Sequence, residues 1–391
     1  MNTSDDTPRI GDVRNIGEPL RFANVEPLAG FSAEPAKKGQ QVKVWTRLAL
    51  TSDEPLFHRL VKDLARVIHH MAQQAGTAVD LRRADTVLLI FKPDDSAELW
   101  VDTAAVSLWC MPKRAMKAGE VVFEEDIVDV TGMYFPCVDF GEGDKVFCLF
   151  RQDWRFGFAF DTTAGKLDIE GFTTTLGTLY RQMRYKHLYD ALGEAALFDR
   201  LLATGWFPFV EIINAEFKDI LSHCEAGFDI AEIEEKVVAK FDTPRTERIL
   251  ERWVAKPHFG AKAELLKEAI TAYNNRKPIS VIKILLTEIE GILKEAYRAA
   301  HDGQVAKLKD LLAFAEASAE RKVGGSNTLL FPKAFGRYLN KYTFANFDPS
   351  AQTGTAGSRH AVGHGAASQE SYTMVSALQA ILTLDQIAFY T

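Results

Sequence analysis

The hydrophobic pattern of this chain changes period near residue 165, and that change limits what the chain can fold into. Before it, TVLLIFK (86–92), AELWVDTAAVSLWC (97–110), GDKVFCLF (143–150) and FGFAFD (156–161) are short runs rich in β-branched and aromatic residues. Turn-like KPDDS (92–96) and FGEGD (140–144) separate them, which is how strands announce themselves. After residue 165, apolar residues recur at helical spacing to the end of the chain. The pattern predicts an α+β protein: an N-terminal mixed α/β, β-rich domain followed by an all-α helical bundle.

Boundaries follow from the same pattern. Residues 1–40 carry Pro, Gly and charge without periodicity and read as a flexible arm. Residues 41–165 read as the α+β domain, 166–250 as a helical linker region, and 251–391 as the main helical domain. One helix interrupts the strands, SDEPLFHRLVKDLARVIHHMAQQ (52–74), with Ser52 as N-cap and Pro55 in the first turn. Its expected buried stripe is Leu56, Leu60, Val61, Leu64, Val67, Ile68 and Met71.

In the second half, residues 172–202 contain no proline and read as continuous helix until GWFPF (205–209). In the long stretch 279–300, Ile282, Leu285, Leu286, Ile289, Ile292, Leu293 and Ala296 recur at helical spacing. The final stretch, 368–390, places Met374, Leu378, Ile381, Leu382 and Ala388 on one expected buried stripe.

Composition bounds the function. A chain of 391 residues, 47% hydrophobic, can bury sizeable cores, and a net charge of −7 argues against coating nucleic acid or an anionic membrane with the whole surface. Any RNA site must be local. Cys110, Cys137, Cys148 and Cys224 are widely spaced with no CxxC pair, so they read as reduced core thiols. The first twenty residues lack an apolar h-region and no later run approaches a membrane span, so the expectation is a cytoplasmic protein with no membrane partner.

The densest chemistry lies in SRHAVGHG (358–365), just before the final helix. Arg359 and His364 are five apart and within reach of one pocket if the segment is helical, with His360 one turn behind His364. Arginine offers a permanent forked charge for phosphate oxygens, and histidine moves a proton near neutral pH. The same residues can instead cap and pack a helix start. His360 and His364 at i, i+4 resemble a metal pair, but no Glu follows the first and no third ligand stands out, so no metal or cofactor is expected. Adjacent His69 and His70 read as a polar helix edge. Asp94, Asp95, Asp102 and Asp161 read as turn residues before a two-carboxylate nuclease, and KVGGSNT (322–328) reads as a turn without the frame of a phosphate loop.

RHAVGH has the form Arg, polar residue, three residues, His, and resembles the signature of HEPN-type ribonucleases, all-α domains common in prokaryotic toxin and phage-defence systems. With ELLKEAITAYNNRKPISVIKILLTEIEGILKEA (264–296) it looks like an uncharacterised bacterial group with a "RHA..HG" motif and a terminal helix. The match covers roughly residues 250–391. The resemblance implies a metal-independent endoribonuclease built as a homodimer, in which the RNA's 2′-OH attacks the neighbouring phosphorus and leaves a cyclic phosphate. It implies His364 as general acid or base and Arg359 as stabiliser of the phosphorane charge. It also places Glu290 as an acidic residue that orients one of them, and an antitoxin or regulatory partner belongs to the same picture. His360 stands where the family more usually has asparagine, and Ser358 where the closer group has it.

Between 294 and 359 ten basic residues (Lys294, Arg298, Lys307, Lys309, Arg321, Lys322, Lys333, Arg337, Lys341, Arg359) face six acidic ones (Glu295, Asp302, Asp310, Glu316, Glu320, Asp348). That excess fits an RNA groove or a solvated surface. Phe331, Phe335, Tyr338 and Tyr342 lie among them, to stack on bases or to fill the bundle. A second reading keeps the same bundle as a non-catalytic interaction or dimerisation module.

Overall fold

A computed structural model describes residues 13–345 and 354–391. It is an α+β fold in which the chain forms two units. The first holds 13–111, 115–122 and 130–186, and the second 112–114, 123–129 and 187–391.

The first unit is built on strands β1 (Leu20–Phe22), β2 (Phe31–Ser32), β3 (Val44–Trp45), β4 (Arg47–Thr51), β5 (Thr86–Phe91), β6 (Ala97–Val101), β7 (Ser107–Pro112), β8 (Ile127–Tyr134), β9 (Lys145–Gln152) and β10 (Arg155–Asp161), with Pro112 of β7 and residues 127–129 of β8 counted in the second unit. Six make one sheet in the order β1-β6-β5-β9-β10-β4, antiparallel throughout, while β2 pairs β3 and β7 pairs β8. Helix α1 (Pro55–Gln74) covers one face and α2 (Ile169–Arg184) the other. The central strands are therefore buried on both sides, which is why KVFCLF reads as a continuous apolar run rather than an alternation. On β9, Phe147 and Leu149 join the α1 side, and Val146, Cys148 and Phe150 the α2 side.

Several local expectations shift. The arm reading fails from Leu20 onward: Leu20–Phe22 forms the sheet edge against β6, and Phe31 meets Phe147, Phe158 and Phe160 edge-on, because these apolar side chains complete the α1-side core. Residues 1–12 of that arm lie outside the described residues. Helix α1 starts at Pro55 after Glu54, since a proline at the first position loses no helical N–H bond; Ser52 instead accepts the Phe156 N–H through Oγ at 3.0 Å. Its buried face holds Phe57, and Val67 is exposed. Cys110 and Cys137 are half-buried rather than core, and no disulfide forms among the described residues.

The run expected as one helix over 172–202 is three: α2, then α3 (Lys186–Gly193) and α4 (Ala195–Ala203). The break at Tyr185 has a physical cause. Phe172, Leu176, Leu179 and Met183 belong to the sheet core, whereas the chain from His187 onward belongs to the second unit. The first compact unit thus continues past the change of period to Lys186.

The second unit adds α5 (Ala215–Ala226), α6 (Ala231–Ala239), α7 (Thr243–Val254), α8 (Pro257–Gly260), α9 (Ala263–Asn274), α10 (Pro278–Ala300), α11 (Leu308–Val323), α12 (Pro332–Tyr338), α13 (Arg359–Gly363) and α14 (Met374–Tyr390). All seven apolar residues expected on the stripe of α10 are buried. Helix α14 is not striped. From Ala377 to Ala388 every residue is buried, because the helix runs through the middle of the bundle, and an element buried all round needs no polar face.

Candidate functional site

Residues 359–363 form a short helix of their own, and local chemistry explains it. Ser358 is the N-cap, its Oγ accepting the Ala361 N–H at 3.4 Å and donating to the Ala345 carbonyl at 3.1 Å. Gly357 sits flat on the Tyr342 ring: an added Cβ would meet the ring carbon Cζ at 2.3 Å, so only glycine fits that approach. The helix stops at His364, and Gly365 follows with φ +69°, the left-handed conformation that favours glycine. Ala361 and Val362 are buried, and α13 packs on α10.

This packing brings Arg359 to Glu290. Nη2 of Arg359 lies 2.6 Å from Oε2 of Glu290, and Nζ of Lys294 lies 2.6 Å from Oε1, so one carboxylate bridges two cations. The side chains of Arg359 and Glu290 are 29% and 16% exposed. Burial works to raise the Glu290 carboxyl, but the Lys294 hydrogen bond and the charges of Arg359, Lys294 and His360 outweigh it and hold the group below its ordinary value. Nε of Arg359 is buried and has no hydrogen-bond partner among the described residues.

His364 stands at the other end of α13 and is exposed. Arg359 is the first residue of α13 and His364 follows its last, so the two stand at opposite ends of the short helix. The structure therefore assembles Arg359, Glu290 and Lys294, with His360 near enough to act on Glu290, and leaves His364 on the outer surface. Sequence reasoning did not assign Lys294 to the site. Its signal was present: Lys294 follows Glu290 by one helical turn, a spacing that favours an ion pair.

The remaining candidates serve the fold. Asp94 Oδ1 accepts from the Ser96 N–H and hydroxyl, Asp102 Oδ1 from the Asp85 and Thr86 N–H groups, and Asp161 from Thr163 and Arg47. Asp95 occupies a turn at φ +59°. Asp144 in FGEGD accepts from the Gly141 N–H and Lys92 Nζ, and Gly324 of KVGGSNT ends α11 in the left-handed conformation. His69 and His70 are exposed on α1. Among the described residues no group of three or more His, Cys, Asp or Glu is placed to hold a metal ion, and no helix is long and apolar enough to cross a membrane.

Part of the basic excess near the motif is matched. Arg337 and Lys341 reach Asp199 at 2.6 and 2.9 Å, Arg298 reaches Glu295 at 2.8 Å, and Lys322 donates to the Thr391 carbonyl at 2.8 Å. Asp348 and the loop 346–353 lie outside the described residues. Phe335 and Tyr338 are fully buried and stack on each other, so neither can stack on a base. Comparison of the chain with known protein families, with curated proteins and with solved structures found no match.

Proposed function

We propose that the helical unit is a metal-independent endoribonuclease of HEPN type that works as a homodimer. The observation that carries this reading is α13 itself: its first residue holds a partly exposed guanidinium beside Glu290, and its end leaves a histidine exposed. In this reading Arg359 grips a phosphate oxygen and stabilises the charge that develops on phosphorus. His364 takes the proton from the RNA's 2′-OH or delivers one to the departing O5′. The new bond is 2′-O to phosphorus and the broken bond is phosphorus to O5′, leaving a 2′,3′-cyclic phosphate. Glu290 and Lys294 are positioning residues that set the guanidinium. Arg359 and His364 stand at opposite ends of one α13, and in this reading a two-fold pair lets each copy supply one of the two groups to a shared phosphate.

A second reading has its own observation. Arg359 already has a carboxylate partner and is mostly covered, as expected if α13 only locks the bundle and the unit binds a partner.

Cleavage of total RNA and tRNA by the purified protein in EDTA separates the two. The ribonuclease reading expects cyclic-phosphate ends and a loss of about 10²- to 10⁴-fold in His364→Ala. For Arg359→Ala it expects a loss of about 10²- to 10³-fold. Absence of cleavage by a folded, dimeric wild-type protein would leave the interaction module in its place.

A further inference from the structure

The first unit holds a cavity of about 520 Å³ between α1 and the sheet, within the size range of small-molecule sites. Phe57, Leu81, Leu149 and Phe156 give it an apolar floor. One wall is Trp154, in the turn between β9 and β10, which is 70% exposed and has the Arg155 guanidinium 3.8 Å from its ring centroid. A tryptophan held open at the mouth of an apolar cavity, with its ring steadied by a cation, is a contact surface without a cover.

The polar rim decides what fits. No acidic side chain is among the lining residues, whereas His58, Lys62 and Arg82 are. His58 is occupied, its Nε2 donating to the Ser52 carbonyl at 2.9 Å, and Arg82 is held by Asp80 at 3.0 and 3.1 Å. Lys62 is exposed on α1 and makes no ion pair among the described residues. One uncommitted ammonium above an apolar floor complements a ligand with a single anionic head and an apolar body.

We propose that this cavity binds an apolar monocarboxylate, either a medium-chain fatty acid or a flat aromatic acid, with its carboxylate at Lys62 and its body on the floor beside Trp154. The proposal does not depend on the ribonuclease reading.

Calorimetry and tryptophan fluorescence on the full chain, with octanoate, 2-naphthoate, 1-octanol and octylammonium as probes, test it. The expected result is saturable one-to-one binding of a carboxylate with a change in Trp154 emission that Trp154→Phe removes. Octanol binds more weakly and octylammonium more weakly still; the tighter of octanoate and 2-naphthoate tells an acyl from an aryl site. Lys62→Ala lowers carboxylate affinity about fivefold, the scale of one exposed charge pair, and leaves octanol unchanged. Ala65→Trp, which fills the cavity, abolishes binding of both, with circular dichroism checking that each variant is folded. Equal affinity for octanoate and octanol, no effect of Lys62→Ala, or no carboxylate binding up to about 2 mM would each overturn the proposal.

Discussion

In the sheet unit, β5 and β9 are buried on both faces by Val, Leu, Ile, Phe and one cysteine thiol; in the helical unit, the equally buried α14 carries Gln379, Thr383, Asp385 and Gln386. The difference follows from what each element packs against. Neighbouring strands satisfy one another's backbone groups, so the side chains of β5 and β9 have nothing polar to answer. Around α14 lie irregular segments whose backbone groups have no ladder. Gln379 accepts from the Tyr342 hydroxyl at 2.7 Å and donates to the Thr204 carbonyl at 2.9 Å. Gln386 accepts from the Val210 N–H at 2.9 Å and donates to the Leu330 carbonyl at 3.2 Å. Asp385 accepts from Arg252 at 2.8 Å and from the Trp253 indole N–H at 3.0 Å. An apolar core is non-directional and tolerates exchange of similar shapes, whereas a buried polar network fixes one arrangement and is costly when half broken.

The largest expected effect tests that contrast. Asp385→Ala leaves the Arg252 guanidinium and the Trp253 N–H without their buried acceptor and should destabilise the helical unit by about 3–5 kcal/mol. Leu89→Ala, in the sheet core, should cost its own unit about 3 kcal/mol through the cavity it leaves. Urea titration followed by hydrogen exchange, read on peptides of each unit, measures both. If Asp385→Ala proves the milder of the two, the polar core is not what holds the bundle.

Acid separates the units next. In the helical unit, burial pushes His258 down to about 4, helped by the charges of Lys256 and Lys322. The folded value lies below the unfolded one near 6.5, so this stability is complete above about pH 6.5 and is lost as pH falls toward 4. For a half-buried group the loss is about 1–2 kcal/mol. In the sheet unit, burial works to raise the Asp161 carboxyl, but hydrogen bonds from Thr163 and Arg47 hold it below its ordinary value. Its contribution is complete above the ordinary carboxylate value and is lost as pH falls from there through its lower folded value. Lowering the pH from 7 to 5 should weaken protection in the helical unit only, and His258→Asn should remove that loss; equal weakening of both units would refute the assignment.

The smallest effect is the most useful for function. His364→Ala, at an exposed helix end, should change the stability of the helical unit by no more than about 0.5 kcal/mol, whereas the proposed ribonuclease reading expects it to cut RNA cleavage about 10²- to 10⁴-fold. A loss of several kcal/mol would mean that the histidine is there to hold the bundle.

The change of period, the helix over 279–300 and the turn chemistry of KPDDS and FGEGD were all readable along the chain, because side-chain spacing and turn residues act over a few neighbours. The Glu290–Lys294 spacing was present there too. Packing alone decided the rest. That α14 is central rather than striped depends on helices from distant parts of the chain surrounding it. That residues 20–32 complete a core depends on β6 and Phe147 being in place. The meeting of Arg359 with Glu290 depends on α13 resting on α10, and no local rule joins residues so far apart in sequence. The ion pair forms once α13, with Ala361 and Val362 buried, rests on α10.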